Sequence, residues 1–109
     1  MQERITAITQ ILDEKKAEDI EIFDMRGGEY FVSFVIIATT LGEKHALSLI
    51  DELKTKLKAR GEEFLNVESS EQWSVIDLGD ILIHLLSQEH RGIYKLEELL
   101  KDLKKCRFF

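Results

Sequence analysis

Apolar residues recur at intervals of three and four in three parts of the chain, which is the spacing of an amphipathic helix. The first part covers residues 3 to about 17, and the second covers residues 43–60, with Gly61 as its C-terminal stop. The third part carries apolar residues at Ile93, Leu96, Leu99, Leu100 and Leu103. The pattern therefore predicts three helices, each with one face against a core.

Short apolar runs between these helices predict five strands. Residues 19–24 and 31–39 flank a glycine-containing turn, so they predict a hairpin, and the continuous apolar run in the second predicts a central strand covered on both faces. A second hairpin is predicted around Gly79, which permits the positive φ of a tight turn. The predicted strands are residues 19–24, 31–39, 63–68, 73–78 and 80–86.

The order of these elements is helix, two strands, helix, three strands and helix. It predicts an α/β (or α+β) fold in which a mixed β-sheet of about five strands is layered with helices. A chain of 109 residues is long enough to bury one core without disulfides or metals. With no proline, repeat or low-complexity segment, the sequence predicts a single domain over residues 1–109.

Charged and polar residues interrupt the second hairpin and the helix after it, although carboxylates are poor strand formers and unpaired ionisable groups are costly to bury. Those residues are Asp77, Asp80, His84, Arg91 and Tyr94. His84 is predicted to be a structural histidine, hydrogen-bonded to a neighbour such as Asp77 or Tyr94. Trp73, beside the polar loop of residues 69–72, is either an aromatic cover for the core or an interface hot spot.

The chain resembles the ribosomal silencing factor family, also called the Iojap-like family, at these residues. The matching positions, in order and in register, are Trp73, Asp77, Gly79, Asp80, His84, Arg91, Tyr94, Leu96 and Glu97. The resemblance covers roughly residues 17–102. The chain departs from the family pattern at Leu78, Leu86 and Leu100, where the family usually carries aromatic residues.

This resemblance implies a fold related to nucleotidyltransferases and a function in translation control. Family members bind a ribosomal protein on the subunit-joining face of the large ribosomal subunit, where they sterically block the small subunit. Organelle relatives are linked to large-subunit assembly. The resemblance, together with the acidic and aromatic character of the segment, predicts a partner-binding surface built from Glu68, Trp73, Asp77, Asp80, Arg91 and Tyr94.

The net charge of −6 bears on the kind of partner. Proteins that bind RNA chiefly through phosphates usually carry a basic surplus, so little direct RNA binding is expected. An acidic protein docks more readily on a basic protein, and ribosomal proteins are mostly basic. The single cysteine, Cys106, excludes a disulfide framework and a cysteine-based zinc site, and the charged N-terminus predicts neither a leader nor a membrane span. A cytoplasmic protein is expected.

An alternative hypothesis is that the chain is a nucleotide-binding or nucleotidyltransferase enzyme on the same fold. Asp77 and Asp80 are the candidate carboxylates for a divalent metal, and a hairpin could place them on one side. The sequence offers no convincing phosphate-binding loop, however. Residues 39–42 precede the second helix but contain one glycine, so they resemble a glycine-rich turn only weakly. We therefore expect no enzyme, no cofactor and no metal.

A third hypothesis is that the chain is a dimerisation module. If the apolar strand over residues 31–37 lay at a sheet edge, its free backbone groups could pair with a second copy. A homodimer is the expectation under this reading.

Overall fold

Five strands form one mixed sheet whose centre is a parallel pair. The computed structural model describes residues 2–27, 32–70 and 72–94. The strands are β1 (Glu18–Asp24), β2 (Phe34–Thr40), β3 (Asn66–Ser69), β4 (Trp73–Asp77) and β5 (Ile81–Ser87). Their order across the sheet is β1-β2-β5-β4-β3, with β2 and β5 parallel and the other neighbours antiparallel.

Two helices cover one face of this sheet. They are α1 (Gln2–Glu14) and α2 (Glu43–Ala59), and the apolar stripes predicted for them are buried. Ile8, Leu12, Leu49 and Leu53 are fully buried against inward-facing strand residues such as Ile83. We call this side the helix face.

A second, smaller apolar cluster occupies the other side of the sheet. Val35 and Ile37 of β2 and Leu82 and Leu86 of β5 are its buried strand residues, and Trp73 and Val75 of β4 pack against them. Side chains alternate along a strand, so these residues all point away from α1 and α2. We call this side the second face. The third helix, α3 (Gln88–Tyr94), contacts β2 and β5.

The mixed sheet and its layered helices confirm the predicted fold class. The hairpin around Gly79 is also confirmed, because this glycine has φ of 97° and the Leu78 N–H donates to the Ile81 carbonyl at 3.0 Å. The strand expected over residues 31–39 is central, between β1 and β5. The idea that this strand lies at an edge is therefore wrong, and a homodimer built on that edge has no support.

Three elements begin three or more residues from the predicted position. β2 begins at Phe34 and not at residue 31, because its pairing with Asp24 of β1 and Ile81 of β5 begins there. β3 begins at Asn66, three residues late, because β4 ends at Asp77 and leaves earlier residues no strand to pair with. α3 begins at Gln88, five residues before the first apolar position, because the Ser87 hydroxyl accepts the His90 N–H at 3.2 Å as an N-cap. The apolar positions predicted beyond Tyr94 lie outside the described residues.

Candidate functional site

Trp73 is fixed on the second face by a hydrogen bond to a histidine of the neighbouring strand. β4 and β5 pair with Trp73 opposite Leu86 and with Val75 opposite His84, so Trp73 and His84 are diagonal neighbours on one face. The Trp73 Nε1–H donates to His84 Nδ1 at 3.1 Å, and the two ring centroids are 5.9 Å apart. The indole plane is therefore set by the fold.

His84 can accept this bond only as a neutral ring. Its side chain is 7% exposed, and burial lowers its pKa to about 4. With Nδ1 as the acceptor, the ring proton is on Nε2. That nitrogen is buried and has no hydrogen-bond partner within the described part of the chain. The structural role predicted for His84 agrees with this burial. Its partner is Trp73, so the predicted bond to Asp77 is wrong, and the side chain of Tyr94, the other predicted partner, lies outside the described residues.

An open pocket of about 360 Å³ lies beside the indole. It is lined by Glu68, Ser69, Ser70, Trp73 and Val75. β3 and β4 pair with Glu68 opposite Val75, which places the Glu68 side chain on the second face with Trp73. The Ser70 hydroxyl donates to the Trp73 carbonyl at 2.7 Å, so the loop between β3 and β4 is tied to the tryptophan backbone. The pocket thus combines an aromatic wall with a carboxylate.

Asp77 is at the end of β4 on the same face. Its Oδ1 accepts the Gly79 N–H at 2.8 Å, which helps to close the hairpin turn. In the described residues, no cation lies within ion-pair distance of Asp77 or Glu68. The hydrogen bonds that these two carboxylates accept come from neutral groups, the Gly79 N–H and the Asn66 amide.

Asp80 is bound within the fold. Arg4 of α1 donates to Asp80 Oδ2 at 2.6 Å and to Oδ1 at 2.9 Å, and it also binds both carboxylate oxygens of Glu62. These hydrogen bonds lower the pKa of Asp80. Arg4 thus joins the start of α1, the loop after α2 and the turn of the second hairpin.

Arg91 is also bound within the fold, at the opposite side of the second face from the pocket. Its Nη1 donates to the Asp19 carbonyl at 2.6 Å and to Thr39 Oγ1 at 2.8 Å, and its Nη2 is 3.2 Å from Glu21 Oε1. The side chain is 10% exposed. Arg91 therefore ties α3 to β1 and β2.

The six predicted partner-binding residues thus separate into three groups. Glu68, Trp73 and Asp77 share one face and are brought together by β3 and β4. Asp80 and Arg91 are at two other places and have partners in the fold. Tyr94 is the last residue of α3, and its side chain lies outside the described residues.

The same geometry bears on the metal-dependent alternative. Asp77 Oδ1 accepts the Gly79 N–H, whereas both oxygens of Asp80 accept hydrogen bonds from Arg4. In residues 2–27, 32–70 and 72–94 there is no group of three acidic, histidine or cysteine side chains that could hold a metal ion.

Two of the leucines that depart from the family pattern are buried. Leu78 belongs to the core of the helix face, and Leu86 lies under Trp73 on the second face. At both positions the leucine of this chain is therefore part of core packing. Leu100 lies outside the described residues.

Sequence reasoning missed Arg4 and the bond between Trp73 and His84. No local sequence pattern indicates the bonds of Arg4, because its partner Asp80 is 76 residues away in the sequence. The bond between Trp73 and His84 could have been predicted from the register of the hairpin. A hairpin centred on Gly79 places His84 opposite Val75, on the same face as Trp73.

Comparison with known proteins identifies the chain at the level of the family. A family model described as "Ribosomal silencing factor during starvation" matches residues 1–108. The chain belongs to the ribosomal silencing factor family. The predicted resemblance is thus confirmed, and the family's name describes a regulatory role.

The ribosomal silencing factor of Halalkalibacterium halodurans is 33% identical over 103 residues, which are 93% of this chain and 88% of that protein. The chloroplastic protein Iojap of Zea mays is 30% identical and aligns with 84% of this chain, but over 41% of its own length. In Mus musculus, a relative named "Mitochondrial assembly of ribosomal large subunit protein 1" is 23% identical over 87% of this chain and 44% of that protein.

Solved structures agree with the silencing factor fold. A crystal structure of a protein from Chromobacterium violaceum superposes with a TM-score of 0.86 at 25% identity, over 93% of this chain and 86% of that one. A crystal structure from Bacillus halodurans gives a TM-score of 0.80 at 32% identity, over 91% and 94%. Within the described part of this silencing factor chain, no helix is long and apolar enough to cross a membrane.

Proposed function

We propose that this chain binds a basic ribosomal protein on the subunit-joining face of the large ribosomal subunit and sterically blocks the small subunit. Fewer joined ribosomes would then form, and translation would be repressed. The match of the silencing factor family model to residues 1–108 is the observation that carries this proposal. The chain would act in the compartment that holds its ribosome, which is the cytoplasm in a bacterium.

The proposed docking surface is the strip of the second face formed by Glu68, Trp73 and Asp77. Trp73 supplies a large, fixed aromatic surface, the kind of side chain that dominates binding energy at interfaces. The two carboxylates flank it without a cation in the described structure. Complementary charge would speed the encounter with a basic protein and fix its orientation. Asp80 and Arg91 are bound within the fold away from this strip, so their role would be to hold the turn of the second hairpin and α3 in place. Tyr94 remains a predicted partner-binding residue.

A second candidate function is assistance in large-subunit assembly. The name of the mouse relative favours it, since that protein is named for the assembly of the mitochondrial large subunit. Both functions need binding to the large subunit, and they differ in whether subunit joining is blocked.

Sedimentation of purified subunits tests the proposal. Large and small subunits are mixed with increasing amounts of the chain, and the gradient is scored for co-migration of the chain and for joined ribosomes. We expect co-migration with the large subunit and a loss of joined ribosomes. Co-migration with undiminished joining would favour the assembly function, and absence of co-migration would refute both.

Variants locate the surface in the same gradient. Trp73→Ala is expected to reduce co-migration by more than about tenfold, which is the loss of one hot-spot residue. Leu47→Ala is the matched control because Leu47 is an exposed apolar residue of α2, on the other side of the molecule. Circular dichroism checks that both variants are folded. Equal binding by both variants would mean that the docking surface is elsewhere.

A further inference from the structure

We propose that the pocket between Trp73 and Glu68 receives an arginine side chain of the protein partner. This inference rests on the proposed function and specifies its chemistry. It assigns one residue type to one pocket of the docking surface. The occupant follows from the aromatic wall of the pocket, its charge and the chemistry of the basic side chains.

The first observation is a flat wall that the fold holds in place. The bond from Trp73 to His84 Nδ1 prevents the indole from turning into the pocket. Leu86 supports the ring from below as its partner across the strand pair. A cation that stacks on a preset indole loses less side-chain freedom on binding, and tryptophan is the best aromatic residue for such a contact.

The second observation is a carboxylate at the rim whose charge has no cation near it in the described residues. The Asn66 amide donates to Glu68 Oε1 at 3.2 Å, which orients the carboxylate and leaves Oε2 for a partner. Burial of a neutral aromatic side chain next to Glu68 would desolvate this charge without compensation. The pocket therefore favours a cation.

The chemistry of the two long basic side chains decides between them. β3 is an edge strand of the described sheet, and its residues Glu68 and Ser69 line the pocket together with Ser70. A guanidinium has five N–H donors in a plane that can stack on indole while it binds a carboxylate. The ammonium of lysine is a compact point charge that cannot stack.

The test uses the free chain and small probes, so it needs no ribosome. The chain has one tryptophan, so its indole N–H gives one resonance in an NMR titration. The probes are N-acetyl-argininamide, its neutral isostere N-acetyl-citrullinamide, and N-acetyl-lysinamide. We expect a saturable shift with the arginine probe at an apparent Kd on the order of 10 mM, and several-fold weaker responses with the other two.

Two variants assign the response to the pocket. Glu68→Gln is expected to weaken the arginine response by about threefold, as for an exposed charge pair. Glu63→Gln is the matched control because Glu63 is exposed and does not line the pocket. Equal responses to arginine and citrulline, a lysine response as strong as that to arginine, or an unchanged Glu68→Gln would each overturn the inference.

The outcomes separate this inference from the proposed function. A chain that binds the arginine probe but does not co-migrate with the large subunit refutes the proposed function and leaves the pocket assigned. Co-migration that Glu68→Gln does not weaken, together with no response to the arginine probe, refutes the pocket and leaves the proposed function.

Discussion

At the scale of single residues, His84 links the packing of the sheet to the presentation of Trp73. A charged imidazole has a proton on both nitrogens, so it can no longer accept the indole N–H. The buried ring avoids this state because its pKa is lowered to about 4. The surface that we propose for docking therefore depends on a histidine that stays neutral.

This dependence predicts that acid destabilises the protein through His84. The unfolded chain binds a proton at His84 near pH 6.5, whereas the folded chain binds it only near pH 4. Stability is therefore complete above pH 6.5 and falls as the pH drops toward 4, by up to about 3 kcal/mol from this residue. His84→Asn keeps an acceptor near the Nδ1 position and does not titrate. Urea unfolding of both proteins at several pH values should give a shallower dependence for the variant, and equal slopes would contradict the assignment.

Asp80 gives a second prediction at this scale. Asp80→Asn should lower the free energy of unfolding by about 1 kcal/mol, because Arg4 loses one of its two carboxylate partners at a partly exposed site. Asp80→Lys should lower it further, since it places two cations together. Glu68→Lys is the control, because no cation of the described residues pairs with Glu68. Urea unfolding at neutral pH measures all three, and equal effects of Asp80→Lys and Glu68→Lys would contradict the structural role.

At the scale of elements, the sequence indicated which helices and strands exist more accurately than where they begin. Periodicity reports which face is buried, and that face decides whether a segment is a helix or a strand. The ends depend on other interactions. α3 begins early because of the Ser87 cap, and β3 begins late because its partner strand stops at Asp77. The cap was readable from the sequence, whereas the end of pairing required the register.

The attachment of α3 gives a prediction at the same scale. Arg91→Met keeps the length of the side chain but removes its bonds to the Asp19 carbonyl and to Thr39, so α3 should loosen from β1 and β2. The free energy of unfolding should fall by about 2 kcal/mol, and amide hydrogens of α3 should exchange faster. Arg26→Met is the control, since Arg26 is an exposed arginine that pairs with Asp24 beside it in sequence. Slow exchange of α3 in Arg91→Met would contradict this role.

At the scale of the whole molecule, the candidate site was partly predictable. Trp73, Glu68 and Asp77 are brought together by strands that the sequence indicated, so their shared face follows from alternation along β3 and β4. The separation of Asp80 from them was not predictable, because it depends on Arg4, at the other end of the chain. Contacts between distant segments decide which carboxylates form ion pairs within the fold, and the sequence alone does not show these contacts.

The placement of charge over the molecule gives the last prediction. The net charge of −6 attracts any basic surface, but only carboxylates on the docking side lie close to it within the screening length of about 8 Å at physiological salt. A double variant with Glu68→Gln and Asp77→Asn should therefore slow association with the large subunit, and added salt should slow it less than it slows the wild type. The matched control changes Asp13→Asn and Asp51→Asn, which are exposed on α1 and α2 and remove the same two charges. Stopped-flow or surface-based kinetics at several salt concentrations compares the rates. If the two double variants slow association equally, net charge alone guides the encounter, and the second face has no special part in it.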